Sequence, residues 1–251
     1  MLELGGVRVR PLLDAEGSFL TLRDAFPSAG VQDEPWTLPF RAFLVEDGEH
    51  RLLVDAGIGP PPGTFLPERQ GWLPQELERA GVEPHEIDVV FFTHLHVDHV
   101  GWASVDGRPF FPRARYVASR DDWSFFSARA ESQDVFEQKL APLERHSVLD
   151  LVDSKPTRVA LSTIALPTPG HTPGHMSLRV AGAERELVLV GDVLLHPLQV
   201  DDPAIAYVFD EDPARAAATR AELLESAAAE GTLLGAGHFA VSPWQVASPR
   251  R

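Results

Sequence analysis

The stretch Thr93-His94-Leu95-His96-Val97-Asp98-His99-Val100-Gly101 places three histidines and an aspartate within six positions, directly after the apolar run of residues 89–92. An extended segment ending in His-x-His presents two imidazoles on one side, and a turn then directs the next Asp and His to a neighbouring position. Burying these groups without a cation would be costly, whereas zinc and similar metals accept them as ligands. The spacing therefore favours a metal site over a loop of hydrogen-bonded histidines, and one cluster can supply two metals.

Three further places show an apolar run that stops at a His or Asp beside glycine. His171 lies in Pro-Gly-His-Thr-Pro-Gly-His after residues 164–166, Asp192 follows residues 187–190, and His238 follows residues 232–234. Each run is typical of a buried strand that ends in a metal ligand. We expect these three residues to complete the metal site.

The order of these motifs, HxHxDH followed by His, Asp and His, resembles that of the metallo-β-lactamase superfamily. The resemblance begins at Val54-Asp55-Ala56-Gly57 and ends at His238. It implies an α/β fold, the αββα sandwich, and we expect one such domain over residues 1–251. It also implies that one metal is held by His94, His96 and His171, that the other is held by Asp98, His99 and His238, and that Asp192 bridges them.

Two divalent metal ions with open coordination positions predict a hydrolase that uses a metal-bound hydroxide. A zinc-bound water can have its pKa lowered to about 7, so no separate strong base is required. Asp98 is the candidate catalytic residue, because an oxygen that is not bound to metal can take or return a proton. Zinc is the expected cofactor, although iron, manganese and cobalt accept the same nitrogen and oxygen donors.

The segments 191–203 and 210–213 resemble the branch of the superfamily that contains methyl parathion hydrolase and N-acyl homoserine lactonases. This predicts a small-molecule lactone or carboxylic ester as substrate, with phosphotriesters as a further class. The smaller lactonases place a tyrosine three residues after the bridging aspartate, where this chain has Leu195. The alternatives are a thioesterase of glyoxalase II type or a β-lactamase of the same superfamily, and a non-catalytic metal-binding protein.

Four residues are candidates for substrate binding: Trp123, Phe136, Leu195 and His196. The resemblance places the two aromatic residues near the pocket wall, but plain helix packing explains them as well. His196 follows Asp192 closely enough to reach the mouth of the site, and a simple turn is its alternative. Asp55 either orients the ligands from behind or caps backbone amides in its turn. Phe65 and the loop of residues 59–63 are expected at the rim of the site.

Composition limits the partners. The formal net charge is −15 at pH 7 and the basic residues form no run, which argues against nucleic acid. Cysteine is absent, so the metal ligands are nitrogen and oxygen alone. No leader pattern and no long apolar stretch occur, so we expect a cytoplasmic protein without membrane contact. A homodimer is compatible with the resemblance, and the N-terminal apolar residues, including Phe26 and Trp36, are candidates for an interface or a lid.

The hydrophobic pattern predicts short strands in the first part of the chain and helices between the later ones. Strands are expected at residues 40–45, 52–55, 88–93, 114–118, 158–166, 176–180, 187–190 and 232–234. Helices are expected at residues 73–80, 120–129, 135–145 and 213–230, the last with Asp212 as N-cap.

Overall fold

The computed structural model describes residues 1–18, 20–48, 50–60 and 70–246. The rim loop expected at residues 59–63 lies partly outside these ranges, and Phe65 lies wholly outside them. Within the described ranges, none of the helices has both the length and the apolar character that crossing a bilayer requires.

Two sheets of the described residues form the centre of the fold, and a two-stranded ribbon accompanies them. The first sheet has the spatial order β1 (Leu2–Glu3), β2 (Val7–Gly17), β3 (Leu38–Asp47), β4 (His50–Val54), β5 (Val89–Phe91), β8 (Arg115–Ser119) and β9 (Leu149–Val152). The second has the order β10 (Thr157–Ala160), β11 (Thr163–Pro167), β12 (Met176–Ala181), β13 (Glu186–Leu189), β14 (Leu233–Gly235) and β15 (Trp244–Val246). The ribbon pairs β6 (Ser104–Val105) with β7 (Arg108–Pro109).

The described residues form eight α-helices, of which the second, fourth, sixth and eighth pack against the outer faces of the two sheets. They are α1 (Leu22–Ala25), α2 (Leu73–Arg79), α3 (Val97–Val100), α4 (Arg120–Ala128), α5 (Gln133–Val135), α6 (Ala141–Arg145), α7 (Leu198–Asp201) and α8 (Pro213–Glu230). A π-helical segment, Phe136–Leu140, joins α5 to α6, and short 3₁₀ turns occupy Pro27–Ala29, Pro84–Glu86, Ala130–Ser132 and Gly191–Val193.

Alternation along single strands explains the four layers. In β5, Val89 and Phe91 pack into the core between the two sheets, whereas Val90 points to the helices outside the first sheet. In β13, Leu187 and Leu189 face the core between the sheets, and Val188 packs with residues of α8. Because successive strand residues point to opposite faces, an all-apolar strand buries both of its faces. The αββα sandwich predicted from the sequence is confirmed.

Parallel pairing decides where the candidate ligands meet. β4 runs parallel to β5, and β13 runs parallel to β14. The carboxyl ends of parallel strands lie at the same edge of a sheet, which is where binding residues of α/β folds collect. Asp55 and His94 therefore follow neighbouring strands of the first sheet, and Asp192 and His238 follow neighbouring strands of the second.

Three of the differences from the sequence prediction concern a hairpin, a long strand and the N-terminal segment. The single strand expected at residues 158–166 is a hairpin, because Ala160 N donates to Thr163 Oγ1 across a turn and β10 pairs antiparallel with β11. The long strand β2 was not predicted, and it pairs with β3 over most of its length. The N-terminal residues Phe26 and Trp36 pack in a buried cluster with Leu195 and Tyr207. These two residues are thus part of the protein interior next to the candidate site.

Candidate functional site: a metal centre with an apolar cavity

The motif after β5 folds as the sequence predicts. His94 lies three residues after the end of the strand, His96 immediately precedes α3, and Asp98 and His99 lie within that single-turn helix. His94 and His99 are buried, while His96 and Asp98 are partly open to the cavity described below. The change from extended chain to helix is what turns the four side chains toward one point.

The three ligands predicted from the second half reach the same point. His171 lies in the loop between β11 and β12, Asp192 follows β13, and His238 follows β14. All three are buried. Gly191 has φ of 53°, and a Cβ there would lie 2.6 Å from His175 Nε2 and 2.8 Å from Thr93 Cβ. Only glycine allows the chain to bring Asp192 this close to β5.

The side chains form three overlapping groups whose donor atoms lie within 4.8 Å of one another: His94 with His96 and His171, His94 with His99 and Asp192, and Asp98 with His99 and His238. Asp192 stands between the outer two groups. Its Oδ1 lies 3.3 Å from His99 Nε2 and 3.2 Å from His238 Nε2. Its Oδ2 lies 3.3 Å from His171 Nε2 and 3.8 Å from His94 Nε2. One carboxylate thus presents one oxygen to each group.

Hydrogen bonds on the far side of four of the rings, those of His94, His99, His171 and His238, fix which nitrogen faces the centre. Asp55 Oδ2 lies 2.8 Å from His99 Nδ1, so this nitrogen carries a proton and Nε2 is the ring nitrogen that faces Asp192 and the donor groups. The same carboxylate accepts from the Thr93 backbone N–H at 2.8 Å and from the Thr93 hydroxyl. Because the hydroxyl donates its hydrogen bond to Asp55, its oxygen accepts from His94 Nδ1 at 3.1 Å. Asp55 therefore touches one candidate ligand and acts on a second through Thr93.

The other histidines are fixed in the same way. His238 Nδ1 donates to the carbonyl of Pro39 on β3 at 2.9 Å, and His171 Nδ1 donates to Asp210 Oδ1 at 3.1 Å. His175 plays a different part, since its Nε2 accepts from the Asp192 backbone N–H at 3.1 Å. Burial lowers the pKa of His175 to about 3, so this ring remains a neutral acceptor that holds the loop of Asp192.

The electrostatics divide the histidines into two kinds. Burial, with His99 as a charged neighbour, holds the pKa of His94 well below its usual range, and burial and His171 do the same for His96. Burial would also lower the pKa of His99, but the carboxylates of Asp55 and Asp192 raise it well above its usual range. The pKa of Asp192 lies well below its usual range, because the surrounding histidines outweigh its burial.

The chemistry of this donor set fits metal ions. Among the described side chains, His99 Nε2, His238 Nε2 and Asp192 Oδ1 are buried and make no hydrogen bond. Buried polar atoms are nearly always paired, and three such atoms converging on one point match ligands awaiting a cation. Imidazole and carboxylate donors suit zinc and related divalent metals.

A cavity of about 390 Å³ opens above the donor groups. His96, Asp98, His171, Asp192 and His238 contribute to its polar end. Its walls are largely apolar and consist of Leu38, Phe40, Phe126, Leu195, Tyr207, Val208 and Phe209. Arg129 and Glu211 also line it and form an ion pair with each other. The cavity joins a metal-binding polar end to apolar walls, which is the usual character of a small-molecule site.

Of the four predicted substrate contacts, only Leu195 lines this cavity. Trp123 and Phe136 pack edge to face with ring centroids 4.8 Å apart and belong to the core under the helices. Their placement at the pocket wall was wrong, because α4 turns Phe126 to the cavity and Trp123 inward. His196 faces Phe26 and Trp36, and its Nδ1 accepts from Leu198 N, so it forms the turn that was its alternative.

Sequence reasoning missed Tyr207, Asp210 and Phe126. Tyr207 is almost fully buried at the cavity wall, and its ring stacks on His171 with centroids 6.0 Å apart. Burial raises the pKa of its phenol, and the carboxylates of Asp192, Asp98 and Asp210 raise it further. An aspartate beside a run of acidic residues gave no signal of its burial. An aromatic triplet in a helix likewise does not reveal which ring points outward.

Comparison with known proteins agrees with this geometry. The profile of the metallo-β-lactamase superfamily matches residues 41–238. Among curated relatives, an N-acyl homoserine lactonase from Bacillus sp is 28% identical over 158 residues, which are 57% of this chain and 58% of that protein. The probable metallo-hydrolase YflN from Bacillus subtilis (strain 168) is 28% identical over 192 residues, which are 65% of this chain and 67% of that protein.

Solved structures share the fold. The hydrolase AbOPH, described as a member of the β-lactamase superfamily, superposes with a TM-score of 0.82 at 24% identity, covering 100% of this chain and 97% of its own. AidC, described as a dizinc quorum-quenching lactonase in complex with a product, gives a TM-score of 0.84 at 20% identity, covering 99% and 93%. Since the family profile spans most of the chain and includes every candidate ligand, the chain belongs to the metallo-β-lactamase superfamily.

Proposed function

We propose that this chain is a dinuclear metal-dependent hydrolase that opens lactones or cleaves carboxylic esters. The observation that carries the proposal is the position of Asp192, whose two oxygens face two different groups of histidine donors. We assign His94, His96 and His171 to one metal, Asp98, His99 and His238 to the other, and Asp192 to both. When bound, the two ions would supply Lewis acidity toward a substrate oxygen and an activated water as nucleophile.

Asp98 is our candidate for proton transfer. Its Oδ2 lies 3.5 Å from His99 Nε2 and 3.8 Å from His238 Nε2, on the side of the second donor group. The side chain is partly exposed to the cavity, unlike the buried Asp192. A carboxylate with one oxygen directed at the donor group and access to the cavity can accept a proton and return it to a leaving alkoxide.

The smaller lactonases have a tyrosine three residues after the bridging aspartate, where this chain has Leu195. We assign the role of that hydrogen-bond donor to Tyr207. Its phenol stays protonated because burial and three carboxylates raise its pKa. A protonated phenol at the cavity wall beside His171 can donate to the carbonyl oxygen of a substrate and to the negative charge that develops there. Asp98 and Tyr207 thus divide proton transfer and oxyanion stabilisation between them.

The apolar walls indicate the rest of the substrate. Phe40, Phe126 and Leu195 offer an apolar lining close to the donor groups. Such a surface suits an acyl chain or an aryl leaving group rather than a highly charged group. The lactonase relatives support a lactone bearing an acyl chain, and the metal centre would also accept phosphotriesters as a lesser class, since it serves carbonyl and phosphoryl oxygens alike.

The test is a hydrolysis panel on protein loaded with Zn²⁺ and on the same protein after chelation. The panel contains N-hexanoyl homoserine lactone, an aliphatic lactone, an aryl ester, a thioester, a β-lactam and a methyl phosphotriester. We expect metal-dependent turnover that is fastest on the lactones or esters. Turnover that is fastest on the thioester or the β-lactam would favour those branches. Two bound metals without turnover would favour a binding protein.

Tyr207→Phe gives a sharper reading, with Tyr116→Phe as its matched control. Tyr116 is also buried, but its hydroxyl bonds to the backbone of Phe111 within the core. We expect Tyr207→Phe to lower kcat roughly 10-fold to 100-fold with little change in metal content. This loss lies at or below the lower end of the range measured when a single oxyanion donor is removed. Equal kcat values for the two variants would contradict the role of Tyr207.

A further inference from the structure

Arg220 is fully buried in the middle of α8, where a charged side chain is unusual. Its guanidinium donates to the carbonyls of Val193 at 2.7 Å, Pro203 at 2.8 Å and Ile205 at 2.9 Å. Val193 directly follows Asp192, so α8 is tied to the loop that carries the proposed bridging ligand. The remaining contact of Arg220 is to a carboxylate, because its Nη2 lies 3.4 Å from Asp210 Oδ2.

Asp210 connects this cation to the site. Its side chain is fully buried, and its Oδ1 accepts from His171 Nδ1 at 3.1 Å. Its Oδ2 accepts from the backbone N–H of Tyr207 at 3.0 Å in addition to the contact with Arg220. One carboxylate therefore holds a candidate metal ligand, the segment that carries the proposed phenol donor, and a buried cation.

We propose that Asp210 and Arg220 form a positioning pair that fixes His171 for metal binding and Tyr207 for substrate binding. The negative charge of Asp210 keeps the proton of His171 on Nδ1 and leaves the lone pair of Nε2 directed at the donor group. The positive charge of Arg220 lies beside that carboxylate and offsets part of the cost of burying its negative charge. This inference rests on the proposed metal site, and it assigns α8 a role in that site although α8 contributes no ligand.

A purely structural role does not account for the arrangement. Three backbone carbonyls already anchor Arg220, so the loops would be tied to α8 without Asp210. A buried ion pair is also weak evidence for stability, because the desolvation of both charges offsets their attraction. What Asp210 adds is a carboxylate acceptor on the outer nitrogen of His171. Removing such an acceptor behind a ligand typically weakens metal binding by about 10-fold to 100-fold.

The test is the metal affinity of Asp210→Asn, measured by competition between the protein and a chelating dye for Zn²⁺. We expect the variant to lose affinity for one of its two ions by about 10-fold to 100-fold. The visible spectrum of the Co²⁺-loaded variant should change as well, because His171 would no longer hold one orientation. Neither readout depends on turnover, so a failure of the proposed lactone or ester substrates would leave the result interpretable.

The matched control is Asp14→Asn. Asp14 is a fully buried carboxylate that accepts from the backbone of Ile58 and Leu73 and from Trp102 Nε1, and it contacts none of the candidate ligands. We expect this variant to lose thermal stability with unchanged Zn²⁺ affinity and an unchanged Co²⁺ spectrum. Equal losses of metal affinity in the two variants would overturn the proposal, since general destabilisation would then explain both.

Arg220→Lys provides a second, conservative variant if Asp210→Asn does not fold. Lysine keeps the positive charge beside Asp210 but lacks the planar fork that reaches the carbonyls. We expect the Zn²⁺ affinity of this variant to stay within a factor of a few of the parent protein while its melting temperature falls. A loss of Zn²⁺ affinity as large as that expected for Asp210→Asn would show that a positive charge beside Asp210 is not sufficient, and would contradict the pairing.

Discussion

The two halves of the metal centre are built in opposite ways. In the first half, four candidate ligands come from residues 94–99, and Asp55 and Thr93 orient two of them, His99 and His94, from the neighbouring strand ends. In the second half, three candidate ligands come from three separate loops, and each has its own partner: Asp210 for His171, the His175 ring for the Asp192 backbone, and the Pro39 carbonyl for His238. The first half needs one local motif, and the second needs the tertiary fold.

Replacing the residue that the two proposed metal groups share should cause the largest loss of metal and of activity. Asp192→Ala removes the one carboxylate that faces both donor groups, so two cations would lie close together without shared neutralisation. We expect loss of both metals and a loss of hydrolysis beyond the roughly 100-fold seen for outer partners of ligands. Metal analysis and the lactone assay measure this, with exposed Asp201→Ala as control. Two retained metals with full activity would refute the bridging assignment.

Removing a residue that orients the ligands of the first half should cause a smaller loss of metal affinity. Asp55→Asn weakens the acceptor on His99 Nδ1 and disturbs Thr93, which in turn orients His94. We expect a loss of metal affinity of about 10-fold to 100-fold. The measurement is a Zn²⁺ competition titration beside Asp210→Asn. Asp55→Asn acts on His99 and, through Thr93, on His94, whereas Asp210→Asn acts on His171. If the two halves act independently, the losses of affinity in the two single variants add in the double variant. A double variant no weaker than either single one would show that the halves act as a unit.

A smaller effect is expected where the first half depends on one hydroxyl. Thr93→Val keeps the shape of the side chain but leaves His94 Nδ1 without its acceptor and Asp55 with one donor fewer. Leaving such a buried group unpaired costs about 1–3 kcal/mol. We expect lower stability together with weaker metal binding. Thr163→Val, at a buried threonine of β11, is the control and should lower stability alone. Unchanged metal binding in Thr93→Val would contradict the orienting role.

The smallest effect on the metal centre is expected at a carboxyl that lies outside both halves. Burial raises the pKa of Asp14 to about 6 from 3.8, although several N–H donors oppose this. Between these pH values the folded protein holds a proton that the unfolded chain has released, so the free energy of unfolding falls as the pH rises through that window. We expect chelated Asp14→Asn to lack this contribution and to show a flatter curve between pH 4 and 6 in urea unfolding. Parallel curves for the variant and the parent would contradict the shift.

The same contrast explains what the sequence reveals. The HxHxDH motif carries its own geometry, because a strand followed by a helical turn aims all four side chains at one point. The later ligands were found from glycine beside the ends of apolar runs, and parallel pairing of β13 with β14 explains why that signal works. The αββα layers likewise follow from apolar runs that bury both strand faces.

The partners of the ligands and the pocket wall were harder to predict. Asp210 and Arg220 lie ten residues apart in a charged region, and only the docking of α8 reveals that they are buried together. Trp123 and Phe126 differ only in their angle around one helix, and the packing of Phe136 decides which of them points inward. Such choices depend on contacts between distant segments, which one sequence does not display.

The distance along the chain between His94 and His238 has a consequence for folding. The donor groups come together only when the second sheet has docked on the first and β14 has paired with β13. Contacts between such distant residues form late, because closing a long loop costs entropy before any contact repays it. Binding of the second ion during refolding would then report when the sandwich is complete. This binding would be slower than the formation of either sheet.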